Sequence, residues 1–290
     1  MRKTIPYLLF PLLMGGGIFS TYALISGGYS KVLAYAIVSL VFSFLVLGLE
    51  QVFPHRKDWQ VRDHQELQDI GHNIFGTVLG AGIGKTLAES LFLASGLWAA
   101  GQIGHSLWPT HWHFAAQVLL VYLMADLGRY IQHRIFHKYD VLWRFHALHH
   151  SVDKLYVLKN ARSHIMERIS QPLFMFGALF FMGVPAEVLF CYMMPNSFLG
   201  IIDHSNMHVK IGPLSYIING PAEHRLHHSK KTSECQSNFG SALVIWDMIF
   251  GTYTNPRPYD SPKEVGILND ITPHGFWGQV TAPFLPAKKL

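Results

Sequence analysis

Charged side chains are scarce in this chain: Asp, Glu, Lys and Arg make up 14% of its 290 residues, against about 25% in soluble domains. So few ionic groups cannot coat a water-facing surface of this size. Cysteine is nearly absent as well. Cys191 lies in an apolar run and Cys235 in a polar segment, which argues against a disulfide framework. Carboxylates are missing from the Glu-x-x-His pairs that a carboxylate-bridged di-iron bundle would need. The aromatics do not alternate with Lys and Arg as a stacking platform requires, so no nucleic-acid partner is expected despite a net charge of +5. No low-complexity segment occurs.

What is abundant is apolar. Half of the residues are hydrophobic, and the runs 5–25 and 32–52 each match the roughly 20 residues needed to cross a bilayer core. The opening Met1-Arg2-Lys3 and the first run superficially look like a signal peptide. The run is long, lacks a clear small-residue cleavage site and leads straight into a second one, so a retained anchor is expected. Gly15, Gly16 and Gly17 are either a site of close helix approach or ordinary small residues.

Arg2 and Lys3 before the first run, and Arg56, Lys57 and Arg62 after the second, place both ends of this hairpin in the cytoplasm. The net basicity then reflects the positive-inside rule, a docking patch for an acidic redox partner, or both. Residues 70–103 are Gly-rich and hold Lys85 and Glu89 one turn apart, which leaves a crossing with a buried pair or an interfacial segment open. The link 104–113 has no Lys or Arg and is expected outside, with Trp108 and Trp112 in an aromatic belt. An apolar helix from Phe114 to Gln132 returns to the cytoplasm. Residues 171–182 and 187–202, split by Gly183-Val184-Pro185, read as a hairpin dipping into the bilayer from the cytoplasmic side. The remainder reads as a cytosolic cap. The expected fold class is thus all-α: a multi-pass membrane helical protein with a cytosolic His-rich di-metal cap. Its divisions are 1–113 (N-terminal transmembrane helices), 114–254 (the metal domain) and 255–290 (a C-terminal cytosolic tail).

Histidine carries the chemistry. Ten of the eighteen histidines form two matching sets, His133, His137, His146, His149 and His150, then His204, His208, His224, His227 and His228. Each set reads H-x3-H followed by H-x2-H-H. On a helix, spacings of three and four put rings on one face, and neutral imidazole is the commonest metal ligand. A structural zinc site needs only four ligands, so ten point to two metals. Asp126, Tyr130, His133 and His137 share one helix face; an Asp in an apolar helix either steadies an imidazole or bonds a neighbouring helix. Asp203 and Glu223 are either acids that support the ligands or ordinary caps.

These residues give the chain a resemblance to the fatty acid hydroxylase and sterol desaturase superfamily of integral-membrane di-iron enzymes. It rests on Asp126 and Tyr130 ahead of His133-Arg134-x-x-His137, on Leu142-Trp143-x-x-His146-x-x-His149-His150-Ser151, and on Ala161-Arg162-x-His164. It continues through Asp203-His204-Ser205-Asn206-x-His208, Pro221-x-x-His224-Arg225-x-His227-His228-Ser229, Asn238-Phe239-Gly240 and Trp246-Asp247-x-x-Phe250-Gly251-Thr252-Tyr253. The resemblance implies two irons held by the ten histidines and facing the cytoplasm, with zinc possible in purified protein, and O2 as co-substrate. It implies attack on a C–H bond of a membrane lipid, fatty acyl, sterol or related. Hydroxylation is the leading expectation and desaturation on the same site the alternative. With no cytochrome b5-like domain in the 290 residues, electrons are expected from a separate carrier, cytochrome b5-like or ferredoxin-like. His164 matches a family position outside the two sets and is a candidate ligand or a structural residue. His55, His64, His72, His105, His111, His113 and His274 lack ligand spacing and read as ordinary histidines.

Three other readings compete. A divalent-metal transporter would hold its ligands near the bilayer midplane between broken helices, a zinc hydrolase needs three ligands and a water, and a haem protein pairs histidines across helices without H-x2-H-H clusters.

Overall fold

The computed structural model describes residues 4–61, 63–256 and 262–285; Arg2, Lys3 and Arg62, on which the topology reading partly rests, lie outside them, as does part of the 255–290 tail. The fold is all-α, with no strand among the described residues. In chain order the α-helices are α1 (Ile5–Ser26), α2 (Lys31–Val52), α3 (Glu66–His72), α4 (Ala81–Ala88), α5 (Ala94–Ile103), α6 (Phe114–Lys138), α7 (Asp140–His150), α8 (Ile165–Met182), α9 (Ala186–His204), α10 (Pro221–His227), α11 (Thr232–Cys235), α12 (Ile245–Ile249) and α13 (Phe276–Thr281).

Three of these, α1, α2 and α6, are long and apolar enough to cross a membrane. Their starts follow local chemistry. Pro6 opens α1, where its missing N–H costs nothing, and Ser30 Oγ caps α2 by accepting from Leu33 N at 3.3 Å. In α2 the buried residues are Ala34, Val38, Phe42, Val46 and Glu50, a single stripe at every fourth position. The other faces stay apolar and exposed, with Phe44 at 65% and Val41 at 60%. In water such faces would be a liability; in lipid they are solvated.

Helices α3, α4 and α5 run on from one another through two π-helical segments, Asn73–Gly80 and Glu89–Leu93. This stretch packs along α8, which in turn packs on α6. Gly84 and Gly96 make the close approach possible, since a Cβ at either would overlap the backbone of Ile169 or Phe181. Gly128 does the same for α6 against Phe174. Lys85 and Glu89 form an exposed ion pair of 3.1 Å on this stretch. Trp108 departs from the expected belt: it is 1% exposed, and its indole N–H donates to Gln117 Oε1 at 2.6 Å, so a hydrogen bond lets the core take it. Trp112 is 46% exposed.

Helices α8 and α9 form the expected hairpin, turned at Gly183, whose φ of 75° suits glycine. The α1–α2 pair packs against α9; Phe42 stacks on Phe198 at 4.6 Å, and Gly17, alone of the three glycines, touches that ring. Glu50, 2% exposed, ties this pair to the cap by accepting from Val157 N at 3.2 Å and Asn206 N at 3.1 Å. The ends of α6 and α9, all of α7 and α10, and the loop 237–243 then meet at one end of the bundle.

Candidate metal centre

Nine of the ten predicted histidines converge there in two groups. One joins His133, His137, His146, His150 and His227; the other joins His149, His204, His224 and His228, with the ligand atoms within each group no more than 4.8 Å apart. Each sequence set lends one residue to the other group: His227 stands with the first four, and His149 with the second. His208 stands in neither group. Its backbone N–H donates to Phe53 O at 2.8 Å, and its ring meets His55 edge-on at 5.9 Å between centroids.

Ring orientation is set from behind. His133 Nδ1 donates to Phe239 O at 2.9 Å, His149 Nδ1 to Arg162 O at 3.2 Å, His204 Nδ1 to Gly200 O at 3.0 Å and His227 Nδ1 to Ser237 O at 2.7 Å. A carbonyl can only accept, so each Nδ1 carries the proton and each Nε2 presents a bare lone pair. Those Nε2 atoms face one another: 2.9 Å separates His133 from His227, and 3.3 Å separates His149 from His204. Two lone pairs at that distance repel, and a cation between them removes the conflict. The donor set therefore fits metal ions, one per group.

Burial keeps the rings neutral. It holds the His149, His150, His224 and His228 imidazoles well below their usual range, helped by the positive charge that neighbouring imidazoles would add, and lowers His227 to about 3. Neutral imidazole is the form that binds metal.

An acid that sequence spacing did not single out lies closest to the rings. Glu167, 2% exposed near the start of α8, places Oε1 3.0 Å from His146 Nδ1 and 3.8 Å from Arg129 Nη1. The acids expected to support the ligands sit elsewhere. Asp126 accepts from the backbone N–H groups of Ser241, Ala242 and Leu243 at 3.2, 2.6 and 3.3 Å. Asp203 is buried, with its Oδ1 making no hydrogen bond. Glu223 accepts from Gly220 N at 3.3 Å and caps α10. Tyr130 donates to Thr252 Oγ1 at 2.9 Å, because that hydroxyl's own proton goes to Asp247 at 2.7 Å. His164 uses both nitrogens structurally: Nδ1 accepts from Met166 N at 3.1 Å, capping α8, and Nε2 donates to Val280 O at 2.9 Å.

Asp247 was visible only as part of a motif, and its work is at the loop. Oδ1 accepts from Phe239 N and Oδ2 from Gly240 N, both at 2.8 Å, while Asn219 Nδ2 donates to Gly240 O. Thus the carbonyl that orients His133 belongs to a segment pinned by two buried carboxylates.

A membrane-embedded helical bundle that gathers nine histidines into two groups able to hold metal defines the class of protein. The chain belongs to the fatty acid hydroxylase family, whose profile matches residues 118–252. It is 34% identical over 279 residues to the ornithine lipid hydroxylase OlsE of Rhizobium tropici, covering 96% of this chain and 83% of that protein. It is 24% identical over 240 residues to the alkylglycerol monooxygenase of Xenopus tropicalis, covering 82% of this chain and 50% of that relative. Methylsterol monooxygenase 1 of Rattus norvegicus is 27% identical over 164 residues, 53% of each chain. The chain therefore spans about half the length of the last two. No solved structure matches.

Proposed function

We propose that this protein is an O2-dependent hydroxylase of a membrane lipid, with two irons held by the histidine groups at the cytoplasmic side and electrons drawn from a separate carrier. The single observation that supports it most is the pairing of bare Nε2 atoms, His133 with His227 and His149 with His204, with their Nδ1 protons committed to carbonyls. When bound, the irons supply reductive activation of O2 for C–H cleavage. The overall balance is R–H plus O2, two electrons and two protons giving R–OH and water; the carrier supplies the electrons.

The chain's own residues orient and exclude. Phe239, Arg162, Gly200 and Ser237 lend carbonyls that fix the ring tautomers, the Glu167 carboxylate stands 3.0 Å behind His146 Nδ1, and burial keeps protons off the His149, His150, His224, His227 and His228 imidazoles. His208 is proposed as the tenth histidine of the centre on sequence grounds alone. The 114–254 segment acts as the catalytic domain, with 1–113 as its membrane anchor and 255–290 as a cytosolic tail.

The substrate class proposed is an acylated amino-acid lipid, because the ornithine lipid hydroxylase matches nearly the whole chain. Lipidomics of a host expressing wild type or a His149→Ala, His227→Ala variant tests this. An ornithine lipid gaining one oxygen only with wild type is expected. Loss of two hydrogens instead would replace hydroxylation by desaturation, and an unchanged lipid profile in a host that makes ornithine lipid and supplies iron and electrons would remove the reading.

A further inference from the structure

Beside the histidine groups lies a cavity of about 250 Å³ that the metal chemistry does not use. Sites for drug-sized ligands measure roughly 300–1,000 Å³, so this one has the size for a lipid headgroup. Two of the cations lining it are buried, Lys159 at 2% and Arg162 at 3% exposed. Lys159 Nζ lies 2.8 Å from Asp63 and 2.9 Å from Asp69, and Arg162 Nη1 donates to Asp69 at 2.8 Å.

The remaining lining charges are Lys230, Asp153 and Asp270. Lys230 is only 3.9 Å from Glu264, and Asp270 caps Thr272 N at 2.9 Å. With Asp63, the cavity wall holds three cations and three carboxylates. A simple anion meets the carboxylates, and a simple cation meets the ammonium and guanidinium groups. A zwitterion finds a partner for each end.

We propose that this cavity binds the amino-acid headgroup of a lipid, its carboxylate held by the Arg162 guanidinium and Lys230 and its ammonium by Asp153 and Asp270. Acylating one of ornithine's two amines leaves one carboxylate and one ammonium, which is the pair required. The inference rests on the proposed lipid hydroxylase for the source of the headgroup. Arg162 gives it a link to the metal centre, since the same residue's carbonyl orients His149.

Binding to the metal-loaded, detergent-solubilised full chain is measured with N-dodecanoyl-ornithine, N-dodecanoyl-putrescine, which lacks the carboxylate, N-dodecanoyl-norvaline, which lacks the amine, and free ornithine. The first is expected to bind at least tenfold more tightly than each of the other three. Lys230→Glu and Asp153→Lys should each weaken it tenfold, while Lys230→Arg keeps it, all with wild-type metal content. Equal affinity for the putrescine or norvaline amphiphile, or indifference to both charge reversals, overturns the site. Free ornithine binding as tightly as the acylated form overturns the lipid source. Hydroxylation of the lipid is followed in the same preparations. Turnover without charge-dependent binding leaves the hydroxylase standing and removes the cavity, and charge-dependent binding without turnover does the reverse.

Discussion

Asp126 and Asp247 divide five consecutive backbone amides between them. Asp247 takes those of Phe239 and Gly240, and Asp126 takes those of Ser241, Ala242 and Leu243. Both carboxylates are fully buried, one on the long membrane helix α6 and one on the short α12. They turn a loop into a fixed part, and that loop carries the carbonyl behind His133.

Asp247→Ala leaves two amides and the Thr252 hydroxyl without their acceptor. Buried donors left unmatched cost about 1–3 kcal/mol each, so a loss of at least ~2 kcal/mol is expected, together with weaker metal retention. Thermal unfolding in detergent and metal analysis read both; a variant matching wild type in each would mean the loop does not depend on this carboxylate.

Glu167→Gln removes the negative charge beside His146 while keeping the side chain's size. Loss of a partner behind a metal-bound imidazole typically weakens metal binding roughly 10–100-fold. Competition with a chelator measures it, and unchanged metal affinity would strip Glu167 of its role.

The exchange of His149 and His227 predicts which losses share a metal. His133→Ala and His227→Ala should each remove one metal, and combining them should remove no more. Combining His133→Ala with His224→Ala should remove both. A stoichiometry following the order of the sequence sets would contradict the grouping.

Acid should unfold the metal-free protein through these rings. His227 falls from 6.5 to about 3 on burial, so between those values the unfolded chain binds a proton that the folded chain refuses. Stability therefore is present above pH 6.5 and is lost as the pH falls toward 3. A pH series of chemical unfolding tests the sign, and metal should shift the profile to lower pH by holding the imidazoles unprotonated.

Gly128→Ala puts a methyl group into the backbone of Phe174. Overpacking of this kind costs about 1–3 kcal/mol, and because α6 carries His133 and His137, metal occupancy should fall with stability. Gly16→Ala, which meets nothing within 4 Å, is the control and should be silent.

Histidine spacing and long apolar runs are local signals, and they made the all-α membrane fold and the convergent rings legible without coordinates. Glu167 was not legible because it stands twenty-one positions from His146 and no ligand spacing links the two. Asp126 was legible as a costly buried acid but not its partners, since backbone amides look alike in every sequence. Asp203 and Glu223 sit next to ligands in the chain, yet a side chain one residue away on a helix points to a different face. The swap of His149 and His227 had no sequence signature either, because it arises from how residues on α7 and α10, far apart in the chain, are brought together by the fold.

That swap has a consequence in time. The first group cannot close until His227 has been synthesised, and the second group, which needs His228, closes no earlier. Neither half of the chain, cut at the α8–α9 turn, contains a whole set of donors, so completing either group is a late event that follows the docking of the two halves. A nascent chain interrupted before α10 would leave the ribosome with six of the nine donors and neither group complete.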